Sequence, residues 1–129
     1  MLFLVLVSST TPTPGRHILL VDDDASVRAS VKLLLSIDRH QVTEAAGGRE
    51  ALNLFTGAKY DLVIIDYFMP DMLGDTLARN LRQLAPALPI LMLTAYREKL
   101  VDYGPIADAV LGKPVSIAEL RAAIANLIR

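Results

Sequence analysis

The sequence predicts an α/β domain, a doubly wound three-layer sandwich around a five-stranded parallel sheet. Three observations carry that expectation. Short apolar runs recur along the chain, amphipathic helical patterns separate them, and polar residues stand directly after several of the runs.

In chain order, the runs are Ile18–Val21 (ILLV), Val42–Ala45 (VTEA), Leu62–Ile65 (LVII), Ile90–Leu93 (ILML) and Ala109–Leu111 (AVL). Four are almost wholly apolar, as strands covered on both faces must be. Val42–Ala45 is more polar and reads as an edge. Between the first two runs, Val27, Val31, Leu34 and Leu35 fall on one helical stripe. Ala51, Leu54 and Phe55 do the same on a shorter helix entered after Gly47–Gly48, and Leu77, Leu81 and Leu84 mark a third, ended near Pro86. Arg97–Asp102 has room for a turn or two. The last helix opens on a capping box, Ser116 with Glu119, and continues with Leu120, Ile124, Leu127 and Ile128. Alternating strands and helices with right-handed crossovers place helices on both faces of the sheet.

The chain's 129 residues suit one domain, and 53% apolar with 21% charged residues excludes a disordered chain. Thirteen Lys and Arg against 14 Asp and Glu give a net charge of −1. That balance argues against direct nucleic-acid or anionic-membrane binding, which draws on excess positive charge. With no cysteine, disulfides, thiolate zinc sites and thiol catalysis are excluded. His17 and His40 sit at element edges and read as structural or solvent-exposed. Met69, Met72 and Met92 read as loop and core packing.

Residues 1–15 read as an extension outside the fold, with the domain occupying 16–129. Met1–Val7 (MLFLVLV) is far shorter than the about 20 residues a membrane-spanning helix needs. It has neither the basic flank nor the small-x-small site of an export signal. Ser8–Gly15 (SSTTPTPG) has linker composition, so the apolar segment suits an added edge strand or a homodimer contact.

Ligands of open α/β sheets bind outside the carboxyl ends of the strands. The first run ends in Asp22-Asp23-Asp24, the third in Asp66, the fourth in Thr94 and the fifth, after Gly112, in Lys113. Two carboxylates about 4 Å apart repel by roughly 4 kcal/mol at an effective dielectric near 20. A hard divalent cation relieves that repulsion, and Mg²⁺ commonly takes one or two carboxylates, waters and a phosphoryl oxygen. Lys113 adds a point charge suited to a phosphoryl group. A carboxylate beside Mg²⁺ can act as nucleophile, so the set suggests phosphoryl transfer onto an aspartate. Each residue alone has a plainer reading: Asp24 as a helix N-cap, Asp22 or Asp23 as favouring the helix dipole, Asp66 and Thr94 as loop and turn residues, Lys113 as a surface lysine. Their joint placement at strand ends is what favours chemistry.

The segments ILLVDDDASVR, YDLVIIDYFMPDMLG, LPILMLTAY and LGKP, in that order, resemble the response-regulator receiver domains of two-component phosphorelays, from Arg16 to Arg129. The resemblance implies a flavodoxin-like sheet of order 2-1-3-4-5 and a cytoplasmic signalling domain rather than an enzyme. It implies Asp66 as acceptor of a phosphoryl group from a sensor histidine kinase or a histidine phosphotransfer protein. Asp22, Asp23 and Asp66 would hold Mg²⁺, Asp23 directly and Asp22 through water, with the Phe68 backbone carbonyl on the same ion. Thr94 would bond the phosphoryl group and move toward it, Lys113 would pair with its oxygens, and the Lys113–Pro114 bond would be cis. The output partner stays unnamed.

Three positions depart from the family pattern. Val110 stands where the switch aromatic is usual, Leu73 where an Asp before the glycine is common, and the Thr94-to-Lys113 interval is short by two or three residues. The last implies a clipped helix before the fifth strand and an altered output surface. Phe68 and Tyr96, two residues after Asp66 and Thr94, imply slow loss of the phosphoryl group. Two other readings fit less well. A haloacid-dehalogenase-like phosphohydrolase needs an acid where Phe68 stands, and a vestigial scaffold or dimerisation module would not need Asp22, Asp23, Asp66, Thr94 and Lys113 together.

Overall fold

The computed structural model describes residues 15–95 and 106–128. Five strands, β1 (His17–Val21), β2 (Gln41–Ala45), β3 (Leu62–Asp66), β4 (Ile90–Thr94) and β5 (Ala109–Gly112), form one parallel sheet in the order β2-β1-β3-β4-β5. Among the described residues the helices are α1 (Ala25–Ile37), α2 (Gly48–Phe55), α3 (Gly74–Leu84) and α4 (Ile117–Leu127). The segment 97–102, Tyr96, Tyr103 and residues 1–14 of the extension lie outside the described residues.

Every residue of β3 and β4 is buried, which explains their unbroken apolar runs. Successive side chains alternate between the two faces. Val63 and Ile65 pack with Leu77, Ala78 and Leu81 of α3, while Leu62 and Ile64 pack with Val31 and Leu35 of α1 and Leu120 and Ile124 of α4. β2 is the partly exposed edge.

The strands run slightly beyond the apolar segments, because backbone pairing continues where side-chain hydropathy stops. Asp66 pairs in register with Leu93, and Thr94 with Gly112, so both polar residues are strand residues. Leu84 departs from the expected α3 stripe. It lies at the helix end and is exposed, and Leu77, Ala78 and Leu81 make the contact instead.

Local signals set the helix starts. The Asp24 side chain accepts hydrogen bonds from the Ser26 and Val27 amides at 2.9 and 3.2 Å, capping α1. Ser116 and Glu119 form both bonds of a capping box at α4. His17 is held by Lys59 O and Thr43 Oγ1 and leans on Tyr60, and buried His40 accepts a bond from the Arg16 amide, so both histidines are structural.

The two helices on one face are clamped by a fork of charge-assisted bonds. Arg121 Nε and Nη2 donate to the two oxygens of Asp38 at 2.8 and 2.7 Å. Asp38 is buried at the C-cap of α1, and the Arg121 guanidinium holds its carboxyl below the usual carboxylate range. A carboxyl with a depressed native pKa stabilises the fold above its unfolded pKa, and that contribution disappears as pH falls through the native value. Arg121→Gln is therefore expected to lower stability at pH 7. The difference from the parent should shrink steadily in acid until the two converge. Urea unfolding across a pH series checks this; a difference independent of pH would mean that Arg121 acts through packing alone.

Candidate functional site

Because the sheet is parallel, β1, β3, β4 and β5 all end at one rim, and their terminal residues converge there. Asp22 and Asp66 are buried at 2% and 7% exposure and Thr94 is fully buried, whereas Asp23 is exposed. One oxygen from each of Asp22, Asp23 and Asp66 lies within 4.8 Å of the others. Lys113, just past β5, donates from Nζ to Asp22 Oδ2 at 2.8 Å and to Asp66 Oδ1 at 3.0 Å. The peptide bond between Lys113 and Pro114 is cis.

Electrostatics at the rim are tense. Burial pushes the Asp66 carboxyl up to about 6, the Asp22 and Asp23 charges push the same way, and Lys113 opposes them. Burial alone would lower the Lys113 ammonium, but its hydrogen bonds to Asp22 and Asp66 outweigh that and hold its pKa above the usual lysine value. Asp66 is thus ionised at neutral pH yet poorly solvated, a suitable state for a nucleophile.

Asp22 is further fixed from behind. Its Oδ1 accepts from the Asp24 amide at 2.9 Å, and its carbonyl accepts from Arg28 Nη1 at 2.6 Å. Arg28 is in turn paired with Glu44 at 3.3 Å. The donor set of Asp22, Asp23 and Asp66 is all hard carboxylate oxygen, which fits a hard divalent cation. The Lys113 ammonium bridging two of these carboxylates shows that the site recruits positive charge.

The remaining predicted residues surround this centre. Phe68 is half-exposed, its ring set edge-on against Tyr67 with centroids 4.6 Å apart. Val110 lies in β5 and packs on the α2–α3 side of the core. Tyr96 is outside the described residues. Three contributors escaped sequence reasoning. Arg28 braces Asp22, Asp71 accepts bonds from the Gly48 and Arg49 amides, and Gly74 lies so close to the β3 end that a Cβ there would sit 2.7 Å from Asp66 O. Each acts on main chain, which leaves no side-chain spacing pattern to read: Arg28 on Asp22 and Gly74 on the end of β3 close by in sequence, Asp71 on a segment more than 20 residues earlier.

Residues 18–125 match the family model described as the response regulator receiver domain. The chain belongs to this family. It is 40% identical over 116 residues to response regulator MprA of Mycolicibacterium vanbaalenii, covering 88% of this chain and 50% of that protein. MprA of Mycobacterium avium is 37% identical over the same length. The chain thus spans about half the length of these curated relatives. Among solved structures, the chemotaxis response regulator CheY4 of Vibrio cholerae superposes with a TM-score of 0.81 at 32% identity, covering 88% of this chain and 99% of that one. The response regulator TrrA of Thermotoga maritima, solved in complex with Mg²⁺ and BeF, gives 0.79 at 33% identity, covering 88% and 99%. The receiver domain is a signalling module of two-component systems, and this chain serves phosphorylation-dependent signalling of that kind.

Proposed function

We propose that Asp66 is the phosphoacceptor of this receiver domain, and that residues 16–129 form the phosphorylated unit with residues 1–15 as an extension. The observation that carries the reading is one buried carboxylate at the end of β3, bonded to Lys113 Nζ and flanked by two more carboxylates. An Asp66 carboxylate oxygen forms a bond to phosphorus as the P–N bond of a phosphohistidine breaks, and the imidazole leaves with the electron pair and takes up a proton. Asp22, Asp23 and Asp66, with the Phe68 carbonyl, would hold Mg²⁺, which when bound supplies positive charge to the phosphoryl oxygens. Lys113, bonded to Asp22 and Asp66, contributes a further positive charge, and the Thr94 hydroxyl would bond the group once it is in place. Phe68, two residues after Asp66, screens it from water, and Val110 takes the place of a switch aromatic. The donor is a sensor histidine kinase or a histidine phosphotransfer protein, which places the domain in the cytoplasm. Phosphorylation and its reversal are self-catalysed, and the product is a conformational signal for an output partner. Among the described residues no helix is long and apolar enough to cross a membrane.

Intact-mass spectrometry after incubation with acetyl phosphate and Mg²⁺ tests the reading. The parent protein is expected to gain one phosphoryl group, and Asp66→Asn to gain none. A folded parent that binds Mg²⁺ without forming an adduct would favour a scaffold that keeps its acidic site but not its chemistry.

A further inference from the structure

The segment 67–73, between β3 and α3, contains Phe68, two residues after Asp66, and is pinned at both ends. At one end it continues directly from Asp66. At the other, the Gly74 amide donates to Tyr67 O at 2.7 Å. In the middle, Asp71 reaches across to another element. Its Oδ1 accepts from the Gly48 amide at 3.2 Å and its Oδ2 from the Arg49 amide at 3.0 Å. These are the first two amides of α2, which helix geometry leaves without partners in the helix. The residue before them, Gly47, has no side chain with which to cap them, so the cap comes from 22 and 23 residues further along the chain.

The approach of the two segments is close. A Cβ on Gly47 would lie 2.8 and 2.9 Å from the two Asp71 carboxylate oxygens, and one on Gly48 would lie 2.7 Å from Met72 Sδ. The Gly47–Gly48 pair is thus what lets the 67–73 segment rest on the start of α2. Although Asp71 is exposed, donation from the Arg49 and Gly48 amides holds its carboxyl below the usual carboxylate range.

We propose that Asp71 is a positioning residue for the cation site: by tying the 67–73 segment to the amino end of α2, it fixes the Phe68 main chain beside Asp66. The proposal rests on the function given above. Groups that orient ligands of a metal change its affinity by roughly 10- to 100-fold when removed, and one exposed tether belongs at the lower end.

The experiment separates holding the loop from capping the helix. Asp71→Ala, Asp71→Asn and the double variant Asp71→Ala, Gly47→Asp are each titrated with MgCl₂, following backbone amide shifts, and each is melted. Asp71→Ala is expected to weaken Mg²⁺ binding about tenfold and to lower Tm by about 3–6 °C through loss of the cap. Asp71→Asn keeps a carbonyl acceptor and should recover part of both. In the double variant the room left by Asp71 accepts the new side chain, which caps α2 locally, so Tm returns while Mg²⁺ binding stays weak. Parent-like Mg²⁺ affinity in Asp71→Ala, or recovery of affinity together with Tm in the double variant, overturns the proposal. A parent protein that does not bind Mg²⁺ at all would overturn the underlying functional reading instead.

Discussion

Asp66→Asn is expected to make the metal-free protein more stable at pH 7.5, by about 3 kcal/mol, while abolishing its phosphorylation. The native Asp66 carboxyl titrates at about 6 against 3.8 for an unperturbed aspartate. Each unit of such a difference corresponds to about 1.4 kcal/mol. The sign follows from proton linkage. Below about pH 4 both native and unfolded chains hold the proton, so the group contributes nothing. Between about 4 and 6 the native protein keeps a proton that the unfolded chain has released, so stability falls as pH rises. Above 6 the full cost of a buried carboxylate among its neighbours is present. Asparagine fills the same space without that charge, and Lys113 keeps its bond to Asp22.

The gain from Asp66→Asn should therefore be absent near pH 4, grow through pH 5 and level off above 6. Urea unfolding at each pH in EDTA reads it directly. Adding Mg²⁺ should narrow the gap, since a cation that binds only the native state raises parent stability by mass action. A variant less stable than the parent at pH 7.5, or a difference that does not change with pH, would show that the Asp66 charge is already well compensated without metal.

The sequence discloses different parts of this molecule to different extents, and the boundary has a physical origin. β1, β3 and β4 could be read because both faces are buried, which forces Ile, Leu and Val at nearly every position. The acidic rim could be read because parallel strands end at the same side, so Asp22, Asp66 and Lys113 meet although they stand 91 and 47 residues apart in their two contacts. Asp24 and Ser116 announced their helices because an N-cap acts within three residues of itself. Asp71 obeys no such rule. It performs the same chemistry as Asp24, but on a helix that precedes it by more than 20 residues, and only the folded sheet brings the two together. Gly47 and Gly48 read only as the entry to α2, whereas the Asp71 and Met72 side chains also rest against them. Leu84 misled in the opposite direction, because an apolar residue at helical spacing says nothing about whether the neighbouring layer reaches that far. Asp38 and Arg121, 83 residues apart, were equally silent.

Lys113→Met carries the opposite expectation from Asp66→Asn and completes the account of the site. Methionine retains an unbranched apolar side chain of similar reach, so the loss is confined to the ammonium and its bonds to Asp22 and Asp66 at 2.8 and 3.0 Å. Both carboxylates are buried, and removing one partner of a buried ion pair costs about 3–5 kcal/mol because the remaining charge is left uncompensated. In EDTA at pH 7.5 the variant should lose stability of that order. Saturating Mg²⁺ should restore much of it, since a divalent cation replaces the missing positive charge. The double variant, Lys113→Met with Asp66→Asn, then tests whether the two effects share one cause. Residues in direct contact within one charged network couple by about 0.5–3 kcal/mol. Neutralising Asp66 should therefore gain more when Lys113 is absent than when it is present, by about 1–3 kcal/mol. Four urea curves, each with and without Mg²⁺, give that coupling. Additive free energies would mean that Lys113 answers to Asp22 alone and that its contact with Asp66 is incidental. A coupling of the expected size, removed by Mg²⁺, would mean that lysine and metal offset the same stored repulsion, which is what leaves Asp66 ionised and reactive at neutral pH.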